Sequence, residues 1–308
     1  MKNPKKILIA NRGVIAIRAL RAAKELGYQV ASVYSTVDKD QKHLKLSDEA
    51  ICIGPAEAKD SYLNEAAIIS AAELVGADAI YPGYGFLAEN SSFAEKCNQS
   101  GFKFVGPNSQ VIEIMGDKIK AKELIESLGV PVVPGYTGEI KDQDHIEGIV
   151  EGIGYPVIVK ASAGGGGKGM RVVQNREELW DSVVSAQNEA EFAFGNGEVF
   201  IEKYLQKPRH IEVQVFGDGK GKVVHLFSRD CSLQRRYQKV LEEAPARNLP
   251  EDKLNEIQEI CVSACSELKY EGAGTLEFLY ENNEFYFIEM NTRIQVEHTV
   301  TEMITGVD

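Results

Sequence analysis

The chain has 308 residues, 44% hydrophobic and 26% charged, the balance of an ordinary soluble globular protein of about two domains. Its formal net charge of −12 argues against a nucleic-acid partner, whose phosphates call for a net basic face. No run approaches the roughly 18 apolar residues of a membrane span, and the basic start leads only into Ile7-Leu8-Ile9-Ala10, too short for a signal peptide.

The cysteines Cys52, Cys97, Cys231, Cys261 and Cys265 form no metal-type CxxC pair and read as reduced packing thiols. A reducing cytoplasm is the expected compartment.

In chain order, the first hundred or so residues alternate short apolar runs with amphipathic stretches: 7–10 then 14–26, 30–34, 66–75 then 79–81, 93–100 then 104–105. That alternation predicts βαβ units on a parallel sheet. The first turn, Asn11-Arg12-Gly13, lacks the Gly-x-Gly-x-x-Gly fingerprint, which removes most support for a nicotinamide dehydrogenase. A boundary falls near Gly106-Pro107, with helices predicted over 109–115 and 119–128 and a stop at Gly129-Val130-Pro131.

A second unit follows. Strands are predicted at 156–160, 171–173, 198–202, 210–216, 222–228, 275–280 and 285–290, with helices over 176–193 and 250–268. Hairpins with inserted helices predict an α+β domain.

The run Gly164-Gly165-Gly166-Gly167-Lys168-Gly169 lies between two of these strands and reads as a hairpin flap whose backbone N–H groups can approach phosphate oxygens. It is no Walker motif, because Met170 stands where Ser or Thr is needed and a strand follows instead of a helix. Lys118, Lys160 and Lys203 could together neutralise a triphosphate in this acidic chain, although each alone reads as a solvated charge. Glu202-Lys203 also resembles an adenine-recognition strand.

In Glu289-Met290-Asn291-Thr292-Arg293-Ile294-Gln295-Val296-Glu297 every odd position is polar or charged, so an extended backbone puts those side chains on one face. An exposed strand face gives the same pattern, and Glu277 shifts the balance. The turn signal Glu281-Asn282-Asn283-Glu284 makes a hairpin of the two strands. With a three-residue loop or a bulge, Glu277 faces Glu289; a strict two-residue register sets them on opposite faces. We expect the facing arrangement, in which Glu, Glu and Asn supply hard oxygen ligands for Mg²⁺.

These residues resemble the ATP-grasp fold of biotin carboxylase. The likeness rests on the glycine flap, Lys118, Lys160, Glu202-Lys203, Glu277 and the 289–298 stretch. Asn11-Arg12-Gly13, Pro82-Gly83-Tyr84-Gly85-Phe86-Leu87 and Arg229-Asp230-Cys231-Ser232-Leu233-Gln234-Arg235-Arg236 match the same family. The resemblance implies an α/β, Rossmann-like N-terminal (pre-ATP-grasp) domain over 1–110. An α+β ATP-grasp domain over 111–308 follows, with a glycine-flap subdomain at about 132–204. The family continues beyond Gly306-Val307-Asp308 with a further domain whose arginine helps hold biotin, so the resemblance implies an incomplete catalytic domain with exposed apolar surface, weak ATP binding and poor turnover.

The implied activity is ATP-dependent carboxylation of biotin on a biotin carboxyl carrier protein. Bicarbonate attacks the γ-phosphate to give carboxyphosphate, and CO₂ passes to the ureido nitrogen. By this resemblance Lys118, Lys160, Glu202, Lys203, Leu205, His210, Gln234 and the flap (Gly164, Gly165, Gly166, Gly167, Lys168, Gly169) bind ATP, and Tyr84 joins the binding residues. Glu277, Glu289 and Asn291 hold Mg²⁺ or Mn²⁺. Lys239, Arg293, Gln295 and the backbone of Val296 cradle bicarbonate, Glu297 is the general base, and Arg293 stabilises the biotin enolate. The implied partners are the carrier and a carboxyltransferase subunit, with a homodimer at full length.

Val14, Tyr81 and Tyr237 depart from the Glu, His and His usual at these places, and Thr299 is found often in pyruvate-carboxylase relatives. Another ATP-grasp ligase of the carbamoyl-phosphate type, or a silent nucleotide-binding subunit, are the alternatives.

Overall fold

The computed structural model describes residues 5–162, 170–236 and 238–308. Gly164, Gly165, Gly166, Gly167, Lys168, Gly169 and Tyr237 lie outside them.

The alternating N-terminal pattern forms one parallel sheet. Its strands β1 (Lys6–Ile9), β2 (Gln29–Ser35), β3 (Glu49–Gly54), β4 (Ala79–Tyr81) and β5 (Lys103–Phe104) run in the order β3-β2-β1-β4-β5. They are joined through α1 (Gly13–Glu25), α2 (Lys42–Leu46), α3 (Glu65–Val75) and α4 (Ser91–Gln99). Leu8, Ile9, Ala31, Val33 and Ile80 are buried, as expected of strands covered on both faces. Edge strand β3 escaped the sequence reading because most of it is exposed or half-buried, so it shows no core pattern.

Strand order reverses beside β1, which opens a crevice at the carboxyl edge of the sheet. There the buried Asn11 donates through Nδ2 to the carbonyls of Pro82 at 2.7 Å and Tyr84 at 2.8 Å, locking the Asn-Arg-Gly and Pro-Gly-Tyr-Gly loops together. Gly83 has φ +70°, and a Cβ there would lie 2.9 Å from Ile15 Cγ1, so only glycine suits this turn.

Helices α5 (Ser109–Gly116) and α6 (Lys118–Ser127) follow as predicted. The Asp117 carboxylate accepts from the backbone N–H groups of Ile119 and Lys120, each at 3.1 Å, an N-cap that places Lys118 at the first position of α6.

A four-stranded antiparallel sheet comes next. Its elements are β6 (Gly135–Tyr136), α7 (Gln143–Ile153), β7 (Val157–Ala161), β8 (Arg171–Val173), α8 (Leu179–Phe194) and β9 (Val199–Lys203), with strand order β6-β9-β7-β8. Ile146, Val150, Leu179 and Val183 pack on Val157, Val159 and Ile201. β7 and β8 pair directly, so the glycine-rich segment joins neighbouring strands.

The second five-stranded sheet is antiparallel, in the order β12-β11-β10-β13-β14. It comprises β10 (Arg209–Asp218), β11 (Val223–Arg235), β12 (Gln238–Glu243), β13 (Glu271–Glu281) and β14 (Glu284–Asn291). Helix α9 (Glu251–Glu267) precedes β13, and α10 (His298–Thr305) follows β14. Ile211, Val213, Val215, Leu276, Phe278 and Phe287 share a core with Ile257, Cys261 and Cys265 of α9. Period-two alternation sends His210, Glu212, Gln214, Thr275 and Glu277 to the opposite face. Strand β12 and helix α7 were not foreseen; β12 is half-buried at best and offers no apolar alternation.

The hairpin loop is two residues, Asn282 and Asn283, at φ 54° and 64°, the left-handed pair of a tight hairpin turn. Pairing runs from Glu281 with Glu284 to Phe278 with Phe287, then shifts by one so that Glu277 meets Glu289. The extra residue is Ile288. Of the two routes to facing carboxylates, the molecule uses the bulge.

Candidate active site

Register alone aligns a row of carboxylates: Glu212 lies opposite Glu277 across β10 and β13, and Glu277 opposite Glu289 across β13 and β14. Beside them run Gln214, Thr275 and Asn291. Glu212 and Glu277 are buried, where uncompensated negative charge is costly.

Three cations compensate. Lys239 Nζ, from β12, contacts Glu212 and lies 2.9 Å from Glu277 Oε1 and 2.6 Å from Glu297 Oε1. His210 Nε2 lies 2.8 Å from Glu277 Oε2 and 3.3 Å from Glu212 Oε1. Arg229, fully buried on β11, donates to Glu212 Oε2 at 3.1 Å, Gln214 Oε1 at 2.7 Å, Thr301 Oγ1 at 2.9 Å, Gln295 Oε1 at 2.8 Å and Thr275 Oγ1 at 3.3 Å. Glu277 Oε1 also accepts from Asn291 Nδ2 and Gln295 Nε2, both at 2.7 Å.

Burial alone would raise the carboxylates and lower the cations. The hydrogen bonds and opposite charges among them outweigh it, so Glu212 and Glu277 fall below the usual carboxylate range, Lys239 rises above its own, and His210 rises to about 9. Glu289 behaves oppositely: burial and the repulsion of Glu277 push it up. A carboxylate strained by its neighbour, with Asn291 and Glu277 adjacent, is a hard-oxygen donor set that fits a divalent cation such as Mg²⁺.

Facing this row, Lys160 Nζ donates to Glu202 Oε2 at 2.6 Å, and Lys122 contacts the other carboxylate oxygen. Burial and the repulsion of a neighbouring lysine push Lys122 and Lys160 down to about 8 each. Glu202 and Phe200 share one face of β9, beside Lys160 of β7.

The two walls enclose a cavity of about 930 Å³, ample for a nucleotide-sized ligand. Lys118, Lys160, Glu202, His210, Gln234, Lys239, Glu277, Glu289, Asn291, Arg293, Gln295, Val296 and Glu297 all line it, and so does Met170, the first described residue after the glycine segment. Three sequence-named residues stand elsewhere. Lys203 turns to the carbonyls of Gly154 and Tyr155, both at 2.9 Å. Leu205 is half-buried outside the lining, and Tyr84 stays in the N-terminal loop, its carbonyl engaged by Asn11.

Sequence reasoning missed Lys122, Glu212, Arg229 and Glu89. The alternation His210-Ile211-Glu212-Val213-Gln214 held a usable signal for Glu212. Arg229 stands in a family-matching motif but was given no role, and nothing local marked Lys122 or Glu89. Cys231 comes near Glu212 and Glu297, but burial pushes its thiol well up, in keeping with a packing role.

Arg229 closes the most buried charge pair of the site. Arg229→Met leaves Glu212 short of its main cation, and we expect a loss of about 3–5 kcal/mol in unfolding free energy by urea titration. Loss below about 1 kcal/mol would show that Lys239 and His210 suffice.

The chain is similar to known proteins along nearly its whole length. Residues 3–112 match the family described as biotin carboxylase, N-terminal domain, and residues 117–308 the carbamoyl-phosphate synthase L chain ATP-binding domain. Biotin carboxylase of Pseudomonas aeruginosa is 58% identical over 304 residues, spanning 98% of this chain and 68% of that protein. Biotin carboxylase 1 of Bacillus subtilis is 53% identical over 306 residues, 99% of this chain and 68% of that protein. Among solved structures, a biotin carboxylase–β-γ-ATP complex from Campylobacter jejuni superposes with a TM-score of 0.93 at 53% identity, covering 99% of this chain and 69% of that one. The biotin carboxylase domain dimer of Hydrogenobacter thermophilus 2-oxoglutarate carboxylase, with MgADP, ADP and bicarbonate, gives 0.91 at 51%, covering 100% and 68%. With two consecutive domain matches and more than half of all residues identical to such relatives, the chain belongs to the biotin carboxylase family.

Proposed function

We propose that the chain carries out ATP-dependent carboxylation of biotin with bicarbonate, the first half-reaction of a biotin-dependent carboxylase. The observation that carries this reading is the cavity itself, where an acidic row able to hold a divalent ion faces a lysine wall able to hold phosphates. An oxygen of bicarbonate attacks the γ-phosphorus and ADP leaves. The resulting carboxyphosphate breaks into CO₂ and phosphate, the phosphate takes the ureido N–H proton of biotin, and that nitrogen forms a bond to the CO₂.

In this scheme Lys118 and Lys160 meet the phosphates, and Glu202, His210 and Gln234 line the nucleotide's path. Glu277, Glu289 and Asn291 would hold Mg²⁺ or Mn²⁺, which when bound supplies charge neutralisation to the triphosphate. Glu297, fixed 2.6 Å from Lys239, takes the proton of bicarbonate. Arg293 offers a guanidinium that stays charged and can fork onto a planar oxyanion. Lys239, Gln295 and Val296 complete that end of the cavity.

The biotin arrives on a carrier protein, and a carboxyltransferase consumes the product; a dimer is part of the same reading, as in the Hydrogenobacter structure. So is a cytoplasmic location, which rests on five unpaired cysteines, Cys52 among them exposed. No helix among the described residues is long and apolar enough to cross a membrane.

The test is bicarbonate-dependent phosphate release from ATP and its stimulation by free biotin, which separates this activity from a carbamoyl-phosphate type of ligase. Glu297→Gln is expected to lower that release by about 10²–10⁴-fold, with binding of an ATP analogue retained. Release that needs no bicarbonate, or an unaffected variant, would contradict the assignment.

A pH dependence follows from the lysine wall. Lys122 and Lys160 are cations below about 8 and neutral above it, so affinity for the anionic nucleotide is present at the lower pH and declines as pH rises through that value. Calorimetric titration with an ATP analogue from pH 7 to 9 checks this, and Lys122→Met should flatten the slope.

A further inference from the structure

Arg293 belongs to the segment that follows β14, yet what aims it comes from the other domain. Glu89, in the loop after β4, accepts from Arg293 Nε through Oε2 at 2.7 Å and from the backbone N–H of Thr292 through Oε1 at 3.2 Å. One carboxylate thus holds both the side chain and the main chain where β14 ends. Arg293 also donates to Asn291 Oδ1 at 2.8 Å through Nη2 and to the carbonyl of Ile294 at 3.2 Å through Nη1.

A guanidinium has five N–H groups. These contacts use three, which leaves one on each terminal nitrogen for an anion in the cavity that Arg293 lines. With Nε clamped, the plane of the guanidinium is fixed, and paired N–H groups in a fixed plane are what bidentate recognition of a planar carboxylate requires. Release of Nε would let the side chain rotate about its flexible stem and spoil that fork.

We propose that Glu89 is a positioning residue that aims Arg293 at the bicarbonate-derived anion and makes the N-terminal domain part of the reaction centre. This deepens the function proposed above and rests on it for the identity of the anion. Glu89 itself touches no reacting atom. Its loop is braced at the other end by the Asn11 hydrogen bonds to Pro82 and Tyr84, so the crevice edge of the parallel sheet supports the clamp.

The experiment uses the full chain, with ¹³C-bicarbonate binding followed by NMR in the presence of a non-hydrolysable ATP analogue. Bicarbonate-dependent phosphate release is measured alongside. Glu89→Ala is expected to weaken bicarbonate by about tenfold or more while leaving ATP-analogue affinity and far-UV circular dichroism unchanged. Glu89→Gln, which keeps length and one acceptor oxygen, should fall between wild type and Ala. In the pair Glu89→Ala/Arg293→Ala, the second change should add nothing to the loss caused by Arg293→Ala alone, because Glu89 acts only through Arg293.

Additive losses, an unchanged bicarbonate affinity in Glu89→Ala, or a parallel loss of ATP-analogue binding would overturn the positioning role while leaving the proposed activity standing. Equal bicarbonate binding by wild type and Arg293→Ala would instead remove Arg293 from the anion site, and the positioning role with it.

Discussion

Mutual neutralisation of buried charge is the constraint on which the site depends. Glu212, Glu277 and Glu289 are aligned by strand register, so the sheet cannot form without bringing them together. Arg229, Lys239 and His210 make this tolerable from one side. They surround Glu277 and Glu212 and leave Glu289, at the edge nearest the lysine wall, as the carboxylate whose ionisation burial and Glu277 oppose. In the proposed function, a divalent ion brought in with nucleotide would complete what the three protein cations begin.

The backbone device behind this is small. A left-handed Asn282-Asn283 turn fixes the hairpin, and a single extra residue, Ile288, returns Glu289 to the face of Glu277. Without the bulge, period two would send Glu289 into the apolar layer around Phe278 and Phe287, where α9 packs. The same alternation puts Ile211, Val213 and Leu276 in the core and Glu212, Gln214 and Glu277 on the opposite face, where Glu277 lines the cavity.

Much of this was legible in residue order. The apolar alternation of the first hundred residues marked the parallel sheet, and the polar odd positions Glu289 and Asn291 with Glu277 marked the acidic edge; the period-two reading stops there, because β14 ends at Asn291 and Arg293, Gln295 and Glu297 reach the cavity from a non-strand segment. What stayed hidden depends on distance along the chain. Arg229 draws its partners from β10, β13 and α10, and Lys122 gains meaning only when β9 brings Glu202 to it. Glu89 and Arg293 are 204 residues apart, and no local period connects them. Elements without an apolar rhythm, β3 and β12, were missed for a related reason: edge strands need less burial, so their sequences state less.

The two domains meet at Arg293, with an acidic row and a lysine wall on one and the Glu89 clamp from the other. The most direct test of the central claim is titration of Mn²⁺ into the protein with a non-hydrolysable ATP analogue, followed by electron paramagnetic resonance. The account predicts that Glu289→Gln weakens ion binding by about tenfold or more, or about 1.4 kcal/mol, with secondary structure intact. Undiminished Mn²⁺ affinity in that variant would contradict it.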